Sequence, residues 1–376
     1  MAGIYVHIPF CKSRCTYCDF YSTTESKFMS DFVDALCLEA KNRIKVVNKL
    51  PIQTIYLGGG TPSLLSIRYL DTILQTLYVN YQIDTNCEIT LEVNPDDVTV
   101  EKAKAWFKLG INRISMGIQS FNDTFLKFAG RRHTAAKAID SFSILKQVGF
   151  TNISTDIIFG WPNSTEQDLK DDLLNFFRLK AEHFSAYQLT VEKGTRLFRK
   201  IKIGETSVLN DEMLVNMYSI LIEECEKNGY EQYEISNFAC NENYSKHNTN
   251  YWFGVPYIGL GPSAHSYDGY RRMWNVSNLK QYIEGIQNNL EVFEFEDIDI
   301  YTKYNEFVMT RLRTKWGITK QELNQKFDDK LLSYFHENCK KLISNNLLIE
   351  KDDTFVLSMA GKHIADSVIS DLFYLE

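Results

Sequence analysis

Cys11-Lys12-Ser13-Arg14-Cys15-Thr16-Tyr17-Cys18 gathers three thiols into one short stretch, while Cys37, Cys87, Cys225, Cys240 and Cys339 are scattered along the chain. Three neighbouring thiols cannot pair among themselves, and soft sulfur ligands select iron–sulfur clusters, zinc or copper(I). A four-iron cluster ordinarily takes four thiolates, so three leave one iron open to a ligand that is not protein. The alternative is a structural zinc site completed by His7 or a distant cysteine, although structural zinc more often uses paired C-x2-C arms. The scattered remainder does not form a disulfide framework; a reducing compartment with one local metal site is the expectation, and the cytoplasm is its default.

Other residues suited to chemistry recur further along. Gly58-Gly59-Gly60-Thr61-Pro62 offers backbone that a ligand can approach closely, with free N–H donors. Glu92 in Leu91-Glu92-Val93-Asn94-Pro95, Gln119 in Ser115-Met116-Gly117-Ile118-Gln119-Ser120-Phe121, and Asp156 are polar residues at or just past the ends of apolar runs. Each taken alone reads as a loop residue; their common placement is what matters.

The elements that must hold these groups are legible as alternating patterns. Short β-branched or aromatic runs at 4–8, 54–57, 88–93, 113–117, 153–158 and 184–189 predict strands. Longer periodic stretches at 28–46, 67–78, 100–109, 135–148 and 166–179 predict the helices between them. Strand–helix alternation implies a parallel sheet, and six units suit a partial (βα)6 barrel better than a closed eight-fold one. Gly58, Glu92, Gln119 and Asp156 then fall together at the carboxyl ends of four strands, the edge where parallel α/β folds bind ligands. Residues 212–228 predict a further helix. A segment rich in glycine, proline and aromatics follows, and from about 300 the pattern turns mostly helical, with a hairpin at 348–357. Thr319 and Glu322 have capping-box spacing for a helix start. The division expected is 1–235 for the barrel, 236–299 for a connecting segment, and 300–376 for a smaller helical, winged-helix-like domain.

The chain has 376 residues, 44% hydrophobic and 24% charged, with a formal net charge of −7, so no basic surface signals nucleic acid. No apolar run is long enough to span a membrane, and the N-terminus does not read as a signal peptide. Peripheral membrane contact and a monomeric or homodimeric state both stay open.

C-x3-C-x2-C behind a first strand, with Tyr17 before the third cysteine, resembles the radical-SAM superfamily. The resemblance implies that the open iron binds S-adenosylmethionine, that an electron donor reduces the cluster, and that the cofactor is split to methionine and a 5′-deoxyadenosyl radical. Within the superfamily, Tyr5-Val6-His7-Ile8-Pro9-Phe10-Cys11, the glycine run, Glu92-Val93-Asn94-Pro95, the Gln119 segment, Arg131 and Asp156-Ile157-Ile158-Phe159-Gly160-Trp161-Pro162 resemble the oxygen-independent coproporphyrinogen III oxidases and their relatives. The likeness runs over nearly the whole chain. It implies a [4Fe-4S] cluster on Cys11, Cys15 and Cys18, and contact of Gly59, Gly60 and Thr61 with the methionine end of S-adenosylmethionine. It also implies that Tyr5, Glu92, Gln119, Arg131 and Asp156 hold the cofactor's amino acid and ribose. Arg132 and His133 are adjacent alternatives to Arg131.

The oxidases carry a further cysteine two places after the third, where this chain has Phe20. That substitution is typical of the heme-chaperone branch, HemW. His247-Asn248-Thr249-Asn250-Tyr251-Trp252 resembles the H-N-x-x-Y-W motif of that branch, so His247 is expected to bind heme. Histidine is a competent axial ligand for iron, and Tyr251, Trp252, Phe253 and Tyr257 offer aromatic cover for a macrocycle. A surface histidine beside a structural aromatic cluster is the competing reading. The resemblance implies a carrier that binds heme and passes it to acceptor proteins, without coproporphyrinogen III oxidase activity. Radical decarboxylation of coproporphyrinogen III, or another radical reaction of tetrapyrrole metabolism, is the alternative. For His265, in Gly259-Leu260-Gly261-Pro262-Ser263-Ala264-His265, a structural role and a ligand role stay open.

Overall fold

A computed structural model describes residues 1–47 and 50–375. β1 (Ala2–Ile8), β2 (Ile52–Gly59), β3 (Ile83–Val93), β4 (Arg113–Gln119), β5 (Ile153–Phe159) and β6 (His183–Gln188) lie side by side in chain order, each parallel to the next. Helices Met29–Asn42, Ile67–Asn80, Val100–Lys108, Ala135–Val148 and Glu166–Leu179 make the crossovers, close to the expected bounds. Their ends follow local chemistry. The hydroxyls of Ser66, Thr99, Thr134 and Thr165 accept from the backbone N–H three residues on, and Thr165 with Asp168 completes a capping box. Gly149 closes the Ala135–Val148 helix at φ 115°, a conformation only glycine adopts without strain.

The alternation along each strand separates two environments. On one face Ile4, Val6, Ile8, Ile55, Leu57, Leu91, Ile114, Met116 and Ile118 are buried in one apolar cluster with Leu70, Leu74, Leu77, Trp106 and Leu145 of the covering helices. Burying each such side chain contributes about 1.5–3 kcal/mol, which makes this layer the scaffold. The opposite face carries Tyr5, His7, Thr54, Tyr56, Thr90, Glu92, Arg113, Ser115, Ser154, Asp156, His183 and Ser185. In an ordinary parallel barrel that inward face is filled with branched aliphatic residues. Here it is polar.

The sheet is mixed and does not close. Beyond β6 come β7 (Glu231–Glu234) and β8 (Asn237–Ala239), antiparallel. On the other side of β1 lies β9 (Tyr257–Leu260), parallel to it, followed by antiparallel β10 (His265–Tyr267), β11 (Arg271–Asn275) and β12 (Phe293–Asp297). Residues 236–299, expected as a connecting segment, thus supply five strands of the same sheet. These strands are short, and β9 finds its partner some 250 residues away (Gly3 opposite Tyr257), a pairing no local pattern announces.

A buried ion pair locks this extension to the first crossover helix. Arg43 donates to Glu39 at 2.9 Å, to Asn275 at 3.0 Å and to Ser266 at 3.1 Å, while Tyr282 donates to the second Glu39 oxygen at 2.7 Å.

From Ile300 a second apolar cluster forms around Tyr304, Leu323, Phe335, Leu342 and Phe355. Helices Ile300–Leu312, Lys320–Lys326 and Asp329–Ser344 pack with a small sheet of β13 (Ile318–Thr319), β14 (Leu348–Lys351) and β15 (Thr354–Leu357), a helical unit with a hairpin wing. Thr319 caps its helix by accepting from Glu322 N–H at 3.1 Å, as its spacing predicts. Among the described residues no helix is long and apolar enough to cross a membrane.

Candidate functional site

The cysteine loop leaves β1 and is held at both flanks. The Cys11 amide donates to the Thr23 carbonyl at 2.9 Å and the Thr23 amide to Pro9 at 2.7 Å, closing its base. Midway, buried Thr16 donates through its amide to Ala129 (2.9 Å) and through its hydroxyl to Phe128 (3.2 Å), and accepts from the Leu197 amide (2.8 Å). Helices Asp123–Ala129 and Arg196–Lys202 therefore anchor the middle of the loop, between the cysteines. Tyr17 sets its ring edge-on against Trp161, 5.7 Å between centroids.

The three sulfurs are half-buried, and two already accept hydrogen bonds: Cys11 from the Thr61 hydroxyl at 3.4 Å and Cys15 from Arg131 at 3.5 Å. Donors aimed at sulfur suit thiolates rather than thiols, so the residues present fit a thiolate-ligated cluster. The zinc alternative loses His7 as its fourth ligand. His7 has Nε2 2.9 Å from the Tyr21 carbonyl and Nδ1 3.1 Å from the Tyr5 hydroxyl, which leaves neither nitrogen free.

Beside the loop, β2 ends in the glycine run. A Cβ at Gly60 would lie 2.8 Å from the Phe10 carbonyl oxygen, and one at Gly59, whose φ is +109°, 2.8 Å from the His7 ring. The glycines are therefore required first by the close approach of β2 to the start of the cysteine loop. The Gly59 amide donates to Glu92 at 3.1 Å and the Tyr56 hydroxyl to the other Glu92 oxygen at 2.8 Å. Burial nevertheless pushes the Glu92 carboxyl up to about 7. Asp156 is likewise raised by burial, against hydroxyl donors Ser115 (3.1 Å) and Ser154 (3.4 Å).

Gln119 sits at φ 74°, at a register irregularity between β4 and β5. A left-handed non-glycine residue at a bulge costs about 1–3 kcal/mol and recurs at functional sites. Of the three adjacent basic residues only Arg131 faces the cysteine loop, with its other nitrogen donating to the Gly117 carbonyl at 2.6 Å. Arg132 is taken by Asp96 at 2.5 Å, and buried His133 lies 3.0 Å from the Ile118 carbonyl.

His247 is elsewhere. Helix Lys246–Trp252 packs against β2, capped by Ser245, with Glu88 accepting from the Lys246 (3.2 Å) and His247 (3.1 Å) amides. The His247 ring is 2% exposed. Its Nδ1 lies 2.8 Å from the Thr54 hydroxyl and Nε2 2.7 Å from the Tyr251 hydroxyl, and it stacks on Tyr56 at 5.1 Å. Burial first, and Arg113 second, lower its pKa to about 3, so it is neutral. An axial bond to iron would require the ring to give up one of these hydrogen bonds. Past the helix, Phe253 lies under Arg311 (4.1 Å) and against Trp316 (5.2 Å), so the segment joins the polar lumen to the C-terminal unit.

Tyr56, Ser115, Ser154, Thr54 and Arg113 line the same face, and no motif marks them in the sequence. A signal existed: Arg113, Ser115, Gly117 and Gln119 alternate with Ile114, Met116 and Ile118, the mark of a strand with one polar face.

Comparison with known proteins bears on this geometry. Residues 5–175 match the Radical SAM superfamily and residues 302–363 the HemN C-terminal domain. The chain is 33% identical to the heme chaperone HemW of Bacillus subtilis over 98% of both chains. It is 32% identical to that of Lactococcus lactis, over 97% of this chain and 95% of that one. Coproporphyrinogen III oxidase (HemN) from Escherichia coli has the same fold, with a TM-score of 0.87 at 21% identity, covering 99% of this chain and 90% of that one. With the cysteine loop, glycine run and C-terminal unit all in place over the full length, the chain belongs to the radical-SAM superfamily, in the HemW family.

Proposed function

We propose that this protein is a cytoplasmic heme chaperone that binds heme and hands it to acceptor proteins while carrying a [4Fe-4S] cluster and S-adenosylmethionine. The observation that carries the reading is the full-length likeness to heme chaperones, accompanied by Phe20 in place of the oxidases' further cysteine. Cys11, Cys15 and Cys18 would hold the cluster, with Thr61 and Arg131 donating to the sulfurs. Gly59, Gly60 and Thr61 would meet the methionine end of S-adenosylmethionine, and Arg131 suits its carboxylate. The Glu92 and Asp156 carboxylates suit ribose hydroxyls; Tyr5, Tyr17 and Gln119 complete the surround. When bound, cluster and cofactor supply one-electron chemistry. Heme is cargo here, not a resident group.

Anaerobic titration of the cluster-reconstituted protein with hemin tests the reading: a Soret shift that saturates near one equivalent is expected. A parallel anaerobic assay with a reductant and coproporphyrinogen III should yield no protoporphyrinogen IX. Substrate-dependent product there would replace the carrier with an oxidase.

A further inference from the structure

A heme carrier needs an axial donor with a free lone pair that a macrocycle can reach from solvent, a requirement that rests on the reading above. The seven histidines differ sharply on this point. His7, His183 and His247 face the lumen with both ring nitrogens engaged. His133 is buried on the Ile118 carbonyl, and His363 is half-buried with Nε2 3.3 Å from Ser219. His336, half-buried in the C-terminal unit against Phe335 and Phe355, likewise has no hydrogen-bond partner among the described residues, but it is less open to solvent than His265.

His265 alone of the seven is exposed, and among the described residues neither of its nitrogens has a hydrogen-bond partner. β10 and β9 run antiparallel with Tyr267 opposite Tyr257, and the His265 backbone crowds Gly259 of β9 so closely that a Cβ there would lie 2.0 Å from the His265 carbonyl oxygen. His265 thus opens β10, the strand beyond β9. Across β11 it is paired with Trp274, ring centroids 6.4 Å apart and tilted by 32°. Two residues along the same face, Tyr267 approaches Tyr257 at 6.5 Å. An unpartnered imidazole thus sits in a row of half-buried aromatic rings, the surface a flat macrocycle requires. Partial burial first, and Arg272 second, lower the His265 pKa, a shift toward the neutral ring that an iron ligand needs. Arg272 itself is held by Glu296 (3.6 Å) and Glu306 (2.5 Å).

We propose that His265, not His247, is the axial ligand through which this protein holds heme iron, with the macrocycle lying against Trp274 and Tyr267.

Hemin titration of the full-length, anaerobically purified protein tests this, read by optical and electron paramagnetic resonance spectra. Wild type should give an imidazole-ligated Soret band. His265→Ala should lose that band and bind hemin about tenfold more weakly or worse, about 1.4 kcal/mol. Added imidazole should restore the wild-type spectrum, which a merely structural role would not permit. Because His265 is exposed, the thermal unfolding of the variant without heme should match wild type. Trp274→Ala should weaken binding while leaving the ligated spectrum intact. If His265→Ala shows the wild-type spectrum, the ligand assignment is wrong and the carrier reading stands. If wild type shows no Soret shift, both fall.

Discussion

His247→Ala is the variant most readily chosen to test heme binding, and the structure predicts that it does something else. The ring bridges two hydroxyls, Thr54 at 2.8 Å and Tyr251 at 2.7 Å, and stacks on Tyr56. Truncation strands both hydroxyls, and a buried polar group left without its partner costs about 1–3 kcal/mol. The lost aromatic contact adds about 0.5–1.5 kcal/mol. A total near 4 kcal/mol is a large share of the roughly 5–15 kcal/mol that stabilises a typical domain. Urea unfolding of the protein without heme, followed by tryptophan fluorescence, reads it directly.

The pH dependence supplies a second signature. His247 is held neutral with a pKa near 3, well below its value in the unfolded chain. Below pH 6.5 the unfolded state therefore binds the extra proton, and wild type loses up to about 1.4 kcal/mol per pH unit from this group. His247→Ala lacks that loss, so the gap between variant and wild type should narrow steadily from pH 6.5 to 5. A variant within about 0.5 kcal/mol of wild type at pH 7.5, or a gap independent of pH, would refute the network. Loss of heme binding in His247→Ala is consequently no proof of ligation.

Other expectations follow from the same contacts. Glu92, with its carboxyl near 7, should bind S-adenosylmethionine as the anion, so calorimetric affinity should fall by up to about tenfold per unit below pH 7 and level off above it. Glu92→Gln should bind weakly at all pH values; a wild-type affinity flat from pH 6 to 8 would remove Glu92 from the site. Arg43→Met leaves Glu39 buried without its countercharge, which should lower stability by about 3–5 kcal/mol in chemical unfolding, with hydrogen exchange speeding up first in β9 to β11. Unchanged exchange there would mean the pair does not anchor the extension. Cys18→Ala should leave the reconstituted protein without labile sulfide or the brown cluster absorbance, and a full complement of iron and sulfide would take Cys18 out of the ligand set.

Much of the scaffold is readable from the chain because its causes are local. Six strands, five crossover helices, their Ser and Thr caps and the Thr319 helix start all depend on residues within a few positions of one another. The Cys11–Cys15–Cys18 spacing and the glycine run are equally local, which is why they carry the family. Arg131, by contrast, lies 116 residues from the sulfur it meets, and its neighbours Arg132 and His133 have the same local character. Only packing of the Asp123–Ala129 helix against the loop selects among the three.

The short strands of 236–299 show the limit most clearly. Their glycines and prolines read as loop, yet β9 pairs with the N-terminal strand, and Gly259 and Gly261 are needed because backbone of His265 and His7 fills the space beside them. The same holds for the histidines. Sequence context places His247 in a recognisable motif, but whether a lone pair is free depends on Thr54, 193 residues away. The chain alone determined the thiols, the glycine run and the βα order, because those need only neighbours. Tertiary structure decided which imidazole is sealed into the lumen and which faces solvent, because burial and hydrogen-bond saturation arise from groups that only the folded sheet brings together.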